Sequence, residues 1–274
     1  MERRRQLILV RGGGDIASGT IYKLLQCGYP VLVLETEAPS AIRRRAAFSE
    51  AVYDKVSRVE DKTCRLAENF QQAREIMGRG EAAMMVDPQC RILETVRPYA
   101  LVDGILAKKN LGTSRTMASK TIALGPGFTA GRDVDLVIET MRGHNLGRVI
   151  RNGTALPDTK VPGMIRGIAA ERVVRAGAGG RIRSLAEIGD TVKKGQTIAV
   201  IKGDQTTETE VRAAISGLLR GMIRDGYFVT PGLKIADIDP RLEEYENCFT
   251  ISDKARCIAG GVLEGILSLE AEER

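Results

Sequence analysis

The stretch LILVRGGGDIASGTIYKLL, Leu7 to Leu25, holds Gly12, Gly14 and Ala17 in the spacing G-x-G-x-x-[G/A]. Glycines so spaced let a backbone approach a pyrophosphate, and the N-terminus of a following helix stabilises its charge. The run YPVLVLE ends in Glu35, about 20 residues further on, where an acid can bond a ribose hydroxyl. Two readings stay open for Asp15, directly after the glycines. Either it belongs to a ligand-binding loop, or it caps its own helix, where a carboxylate is favoured by about 0.3–1 kcal/mol, and occupies the amides a phosphate would use.

Further polar residues follow other apolar runs. Asp103 closes YALVDGI, with Lys108 and Asn110 just behind it in AKKN. LGPGFTAG offers Gly125, Gly127 and Thr129 as a second loop able to cradle phosphate. Arg43, in IRRR, suits a phosphate or carboxylate. The sole histidine, His144, lies in RGHNLGRV and has no neighbour at zinc-ligand spacing, so no metal site is expected. Asp103, Lys108 and His144 are the acid–base candidates. Each of these residues also has a plain reading as turn chemistry or solvated charge.

Positioning such residues takes strands that end where the ligand lies. Leu7–Val10, YPVLVLE, TCRLAE, AAMMVDP, YALVDGI and KTIAL read as buried strands, with helical stretches such as NFQQAREIMGRG between several. Alternation of this kind predicts an α/β domain over residues 1–165 with a Rossmann-like, mainly parallel sheet and its ligand beyond the strand C-termini. The second half is different. Residues 174–201 align without gaps on 211–238, pairing Val174 with Val211, Gly180 with Gly217, Gly189 with Gly226, Gly195 with Gly232 and Ile198 with Ile235. This is a duplication of short strands and glycine turns, an all-β domain over 172–241. Its pattern resembles the lipoyl/biotinyl-like barrel-sandwich hybrid. The attachment position then falls near Thr206, not Lys202, without Met-Lys-Met surroundings, so no covalent biotin or lipoate is expected. Residues 251–270 read as an amphipathic C-terminal helix, with Ser252 as N-cap and an apolar stripe from Ala255 to Leu267, packing back on the first domain.

Composition narrows the classes. No window of about 18 apolar residues points to a membrane span. The net charge of +6 is spread along the chain, tryptophan is absent and aromatics are 4%, so nucleic acid is not an expected partner. A small anionic, nucleotide-like ligand accounts for the charge equally well. Arg3, Arg4 and Arg5 read as a solvated flank. The five cysteines are scattered and lack a CxxC, which suits a reducing cytoplasm.

The segments RGGGDIASG, AIRRRAAFSEAVY, VDGILAKKNLG, LGPGFTAG, RGHNLGRVI, KVPGMIRG and ISDKARCIAGGVLE together resemble one family, the selenium-dependent molybdenum hydroxylase system proteins. The resemblance covers almost the whole chain and implies a cytoplasmic accessory protein. Its partners would be a molybdenum hydroxylase or its cofactor-maturation machinery, and its ligand NAD or another nucleotide. Members carry an aspartate at the position of Asp15. Two alternatives remain: an NAD-dependent oxidoreductase with its own small-molecule substrate, and a non-enzymatic adaptor with a vestigial nucleotide site.

Overall fold

The computed structural model describes residues 6–159, 161, 163–203 and 208–273. The expected arginine flank at residues 3–5 and the expected attachment position near Thr206 lie outside them. The chain divides into two compact units. One holds the residues up to Pro39, Ala47–Thr159 and the chain from Ile251; the other holds Ser40–Ala46 and the chain from beyond Thr159 to Thr250.

The first unit is built on a nine-stranded sheet. Its strands are β1 (Ile8–Arg11), β2 (Val31–Glu35), β3 (Val56–Val59), β4 (Lys62–Leu66), β5 (Ala82–Val86), β6 (Ala100–Asp103), β7 (Lys120–Leu124), β8 (Leu136–Ile138) and β9 (Val149–Ile150). They lie in the order β3-β4-β5-β2-β1-β6-β7-β8-β9. The inner strands run parallel, while the edges β3 and β9 pair antiparallel with β4 and β8. β1, β2 and β6 are buried along their whole length, as strands covered on both faces must be.

Side-chain alternation splits the core between the faces. Ile8, Val10, Val33, Val102, Ile122 and Ile138 pack with α1 (Asp15–Gln26) and α4 (Asp253–Glu272). Leu9, Leu32, Leu34, Ala83 and Leu101 pack with α3 (Phe70–Gly78). α1 buries Ala17, Ile21 and Leu24, one helical face, and ends at Gly28, whose φ of +80° permits the left-handed turn. Asn69 caps α3 by accepting from the Gln72 amide at 2.9 Å, and Ser252 caps α4 by accepting from Ala255 N at 3.2 Å. A fourth, one-turn helix, α2 (Ala51–Asp54), precedes β3.

The second unit carries β10 (Val173–Arg175), β11 (Gly180–Ser184), β12 (Thr191–Val192), β13 (Thr197–Lys202), β14 (Glu208–Arg212), β15 (Gly217–Met222), β16 (Phe228–Val229) and β17 (Lys234–Asp239). They form two four-stranded antiparallel sheets, β10-β17-β15-β12 and β14-β13-β11-β16, each drawing two strands from each copy of the repeat. Gly180 and Gly217 hold equivalent places. A Cβ on either would stand 2.2 Å from the carbonyl oxygen of Lys202 or Asp239, themselves equivalent.

This architecture corrects the expected fold class. The large sheet is mixed, and only the β1–β2 and β4–β5 crossovers contain a helix longer than one turn; the other connections are loops, 3-10 turns and the single turn of α2. The reason is local: AKKNLGTS and GPGFTAGRD are too rich in glycine, proline and turn residues to sustain helices. The all-β part is likewise two separate sheets, whose ladders do not close into one barrel.

Candidate functional site

β1 and β6 are neighbours in register, with Arg11 beside Asp103. The chain leaves β1 towards β2 on one side and β6 towards β7 on the other, so the strand order reverses between them. In open α/β sheets ligands sit beyond the strand C-termini at such a point. The loop Gly12–Gly14 lies there. Gly12 has φ +87° and packs on the backbone of Ile105, 3.2 Å from where its Cβ would be. A Cβ on Gly13 would stand 2.9 Å from Met84 Cε and 3.0 Å from Ser49 N. Gly14, the N-cap of α1, answers to neither constraint. Its φ is −63°, a Cβ there would meet nothing within 4 Å, and no side chain caps the helix from this position.

Glu35 braces the loop from below. Its carboxylate accepts from Gly13 N at 2.7 Å and Thr36 N at 2.8 Å, so both oxygens are engaged with backbone. Burial raises its pKa, and the two amides partly oppose that shift. Ser18 Oγ donates to the Gly13 carbonyl at 3.1 Å and accepts from Phe48 N at 2.9 Å, which further fixes the turn. Asp15 stands in the first turn of α1, and Ala17 is buried against Gly104.

Asp103 is buried and fully engaged. Its Oδ2 meets Arg11 Nη1 at 3.3 Å and accepts from Thr113 Oγ1 at 2.5 Å, while Oδ1 accepts from Ile105 N at 3.1 Å. Arg11 also donates to Thr113 Oγ1 and to the carbonyls of Pro88 and Leu111. The carboxylate is a strut between two central strands and presents no free oxygen for proton transfer. Lys108 is exposed and paired with Asp158 at 2.6 Å. Asn110 closes a turn, accepting from Gly112 N and Thr113 N and donating to Thr113 O, each at 2.8 Å.

Gly125 (φ +76°) abuts Thr140 Oγ1, and Gly127 (φ +109°) abuts the Lys108–Lys109 backbone, so these glycines join the loops after β6, β7 and β8. Thr129 N donates to Asp133 at 2.8 Å, closing the loop on itself. His144 is exposed. Arg43 belongs to the second unit, where its guanidinium donates to the carbonyls of Asn247 and Thr250 at 3.0 Å. Among the described residues no group of three or more His, Cys, Asp or Glu is placed to hold a metal. Burial raises the pKa of Cys64, Cys90 and Cys248, which disfavours thiolates.

Two residues of this edge escape a reading by motif. Glu139, buried just after β8, accepts from the amides of Thr140 and Met141 at 2.7 Å and of Leu156 at 2.9 Å. Lys254, half-buried in the first turn of α4, has its pKa lowered by burial and by Arg142, against the opposing pull of Asp15, Asp158 and Glu139. No spacing in the sequence links position 254 to position 15. A lysine where a helix dipole prefers an acid is the one local signal available.

No family model matches the chain. It is 49% identical over 265 residues to "Uncharacterized protein YqeB" of Escherichia coli K12, a match covering 96% of this chain and 48% of that protein. The chain thus spans about half the length of this curated relative. Three of the solved structures that match illustrate the likeness, each with a low TM-score. The ectoine utilization protein EutE (DoeB) of Ruegeria pomeroyi is 12% identical, with 85% of each chain covered and a TM-score of 0.28. A succinylglutamate desuccinylase/aspartoacylase of Rhodobacter sphaeroides is 16% identical over 85% of each chain, TM-score 0.29. An aspartoacylase family protein of Mesorhizobium loti is 11% identical over 85% of this chain and 84% of its own, TM-score 0.29.

These findings correct the resemblance drawn from the sequence. Of these structures one is named for ectoine utilization and two for succinylglutamate desuccinylase/aspartoacylase or the aspartoacylase family, and neither they nor the curated relative carries a description as a molybdenum hydroxylase accessory protein. That assignment, with its selenium-system function and its oxidoreductase and adaptor alternatives, is withdrawn. Likenesses with TM-scores of 0.28 and 0.29 carry no argument about the chemistry of this chain.

Proposed function

We propose that the first unit binds a small phosphorylated, nucleotide-like ligand, with a phosphate seated on the Gly12–Gly14 loop and the N-terminus of α1. NAD is one candidate. The observation that carries this reading is Gly14. Its neighbours need glycine for backbone or packing reasons, but Gly14 has an ordinary φ and open space around it. An unfilled position over uncapped helix amides suits an anion. Gly12, Asp15, Ala17 and Glu35 act by shaping the loop, and Gly125, Gly127 and Thr129 by shaping the neighbouring one. The reading assigns binding and no reaction. No helix among the described residues is long and apolar enough to cross a membrane. The five free cysteines suit the cytoplasm.

Melting curves with NAD, ATP, CTP and inorganic phosphate test it. A ligand at 100 times its Kd adds about 2.7 kcal/mol of stability. Gly14→Asp supplies an internal cap in a position with room for a side chain. It is expected to melt at or slightly above the wild type and to lose the ligand response. A wild type that responds to none of these compounds, or a Gly14→Asp variant that responds equally, refutes the reading.

A further inference from the structure

At the edge of the large sheet opposite the glycine loop, a cavity of about 830 Å³ opens across the N-terminal ends of β1 and β2. Leu7, just before β1, and Pro30, just before β2, line it with Leu25 of α1 and with Phe70 and Met77 of α3. α1 and α3 pack on opposite faces of the sheet, so the cavity lies across the sheet's end, against both layers. All five side chains are half-buried. Phe70, Arg74 and Met77 recur at i, i+4 and i+7, so one stripe of α3 carries a guanidinium between two apolar groups. The ionisable side chains lining the cavity are Arg74, Arg79 and Tyr29, with no carboxylate among the described residues. Arg74 pairs with no carboxylate among them. Arg79 stands 3.7 Å from Glu81, which Arg65 already holds at 2.8 Å. The helix ends at this edge spend their carbonyls internally. Leu24 O and Leu25 O accept from Tyr29 N and Gly28 N, and Ile76 O and Met77 O accept from Arg79 N and Gly80 N. The charge offered to the cavity is thus positive.

We propose that this cavity is a second binding site, independent of the phosphate site at the opposite edge, and that it takes a small amphipathic carboxylate. Its volume is that of small-molecule sites, about 300–1,000 Å³. The hydrocarbon part of the ligand lies against Leu7, Leu25, Phe70 and Met77 and removes their exposed apolar surface from water. Its carboxylate meets the guanidiniums of Arg74 and Arg79, whose planar fork matches a carboxylate. The arginine stems run along the same apolar wall and leave the charged heads at the mouth.

Titration calorimetry of the full chain with octanoate, hexanoate and octylammonium tests the proposal. Octanoate is expected to bind about tenfold more tightly than hexanoate, the worth of two buried methylenes. Octylammonium, with the same chain and the opposite charge, should bind about tenfold more weakly than octanoate. Arg74→Gln and Arg79→Gln together should weaken octanoate about tenfold, each exposed contact contributing about threefold. Both side chains are exposed, so this variant should melt with the wild type. A second variant tests the location. Gly78, the last residue of α3, lines the cavity without a positive φ, and a Cβ there would meet nothing within 4 Å. Gly78→Trp should therefore fold, fill the cavity and weaken octanoate by about tenfold or more. A wild type that does not bind octanoate, or that binds octylammonium as tightly, overturns the proposal. So does octanoate binding at wild-type strength by Gly78→Trp or by the double arginine variant.

Discussion

Arg11 and Asp103 show what a single side chain decides in this protein. They lie 92 residues apart and form a buried ion pair across two central strands, with Thr113 bridging them. Removing one partner of such a pair leaves the other charged and desolvated, at a cost of about 3–5 kcal/mol. Asp103→Asn is therefore expected to lower stability by that amount, read as a shift of the urea midpoint. Glu35 makes a second prediction. Replacing its carboxylate with an amide turns an NH2 group towards either Gly13 N–H or Thr36 N–H, so Glu35→Gln should cost about 1–3 kcal/mol near neutral pH. Its raised pKa gives this a pH signature. The folded state holds the proton more tightly than the unfolded chain. The contribution of Glu35 is thus fully present below the ordinary glutamate value of about 4.3 and is lost as pH rises through the folded pKa. Glu35→Gln should flatten the stability–pH curve over that window in denaturation series.

Among the elements, α4 shows how a helix accommodates glycine for different reasons. The three glycines of its AGGVLEG stretch cannot be told apart by propensity, since each glycine weakens a helix interior by roughly 1 kcal/mol relative to alanine. Packing separates them. A Cβ on Gly261 would stand 2.1 Å from the Gly147 carbonyl oxygen, and one on Gly265 3.0 Å from Leu136 Cδ1, while one on Gly260 would meet nothing within 4 Å. Gly260→Ala is expected to stabilise by about 0.5–1 kcal/mol, and Gly261→Ala to destabilise by about 1–3 kcal/mol through overpacking. Opposite shifts in melting temperature check the pair. The repeated half is legible at the same scale. β13 and β17 occupy equivalent stretches, as do β12 and β16, and Gly195 and Gly232 share φ values of +85° and +82°. Glycine turns at fixed offsets mark such corners in sequence because few other residues adopt them.

At the scale of the whole molecule, each unit carries its own core, one centred on the nine-stranded sheet and one on the paired four-stranded sheets. Two cores imply that unfolding need not be a single transition. Scanning calorimetry is expected to show either two peaks or one broadened beyond its van't Hoff width, and a phosphorylated ligand should move only the part that belongs to the first unit. A single two-state transition that shifts as a whole would argue against this.

The sequence by itself determined the elements whose burial repeats locally. These are the apolar runs of β1, β2, β5, β6 and β7, the helical stripe of α1, the capped start of α4 and the duplicated strands. It also marked the glycine loop as a place where backbone and anion could meet. It did not reveal β8 and β9, whose 3 and 2 residues are too short for any period to show. Tertiary structure alone decided which strands are neighbours and which crossovers lack helices. It also decided that Asp103 faces Arg11 and that Glu35 turns onto Gly13. The physical reason is the range of the interactions. Periodicity records which side of an element is dry, whereas an ion pair depends on residues the chain brings together from far apart.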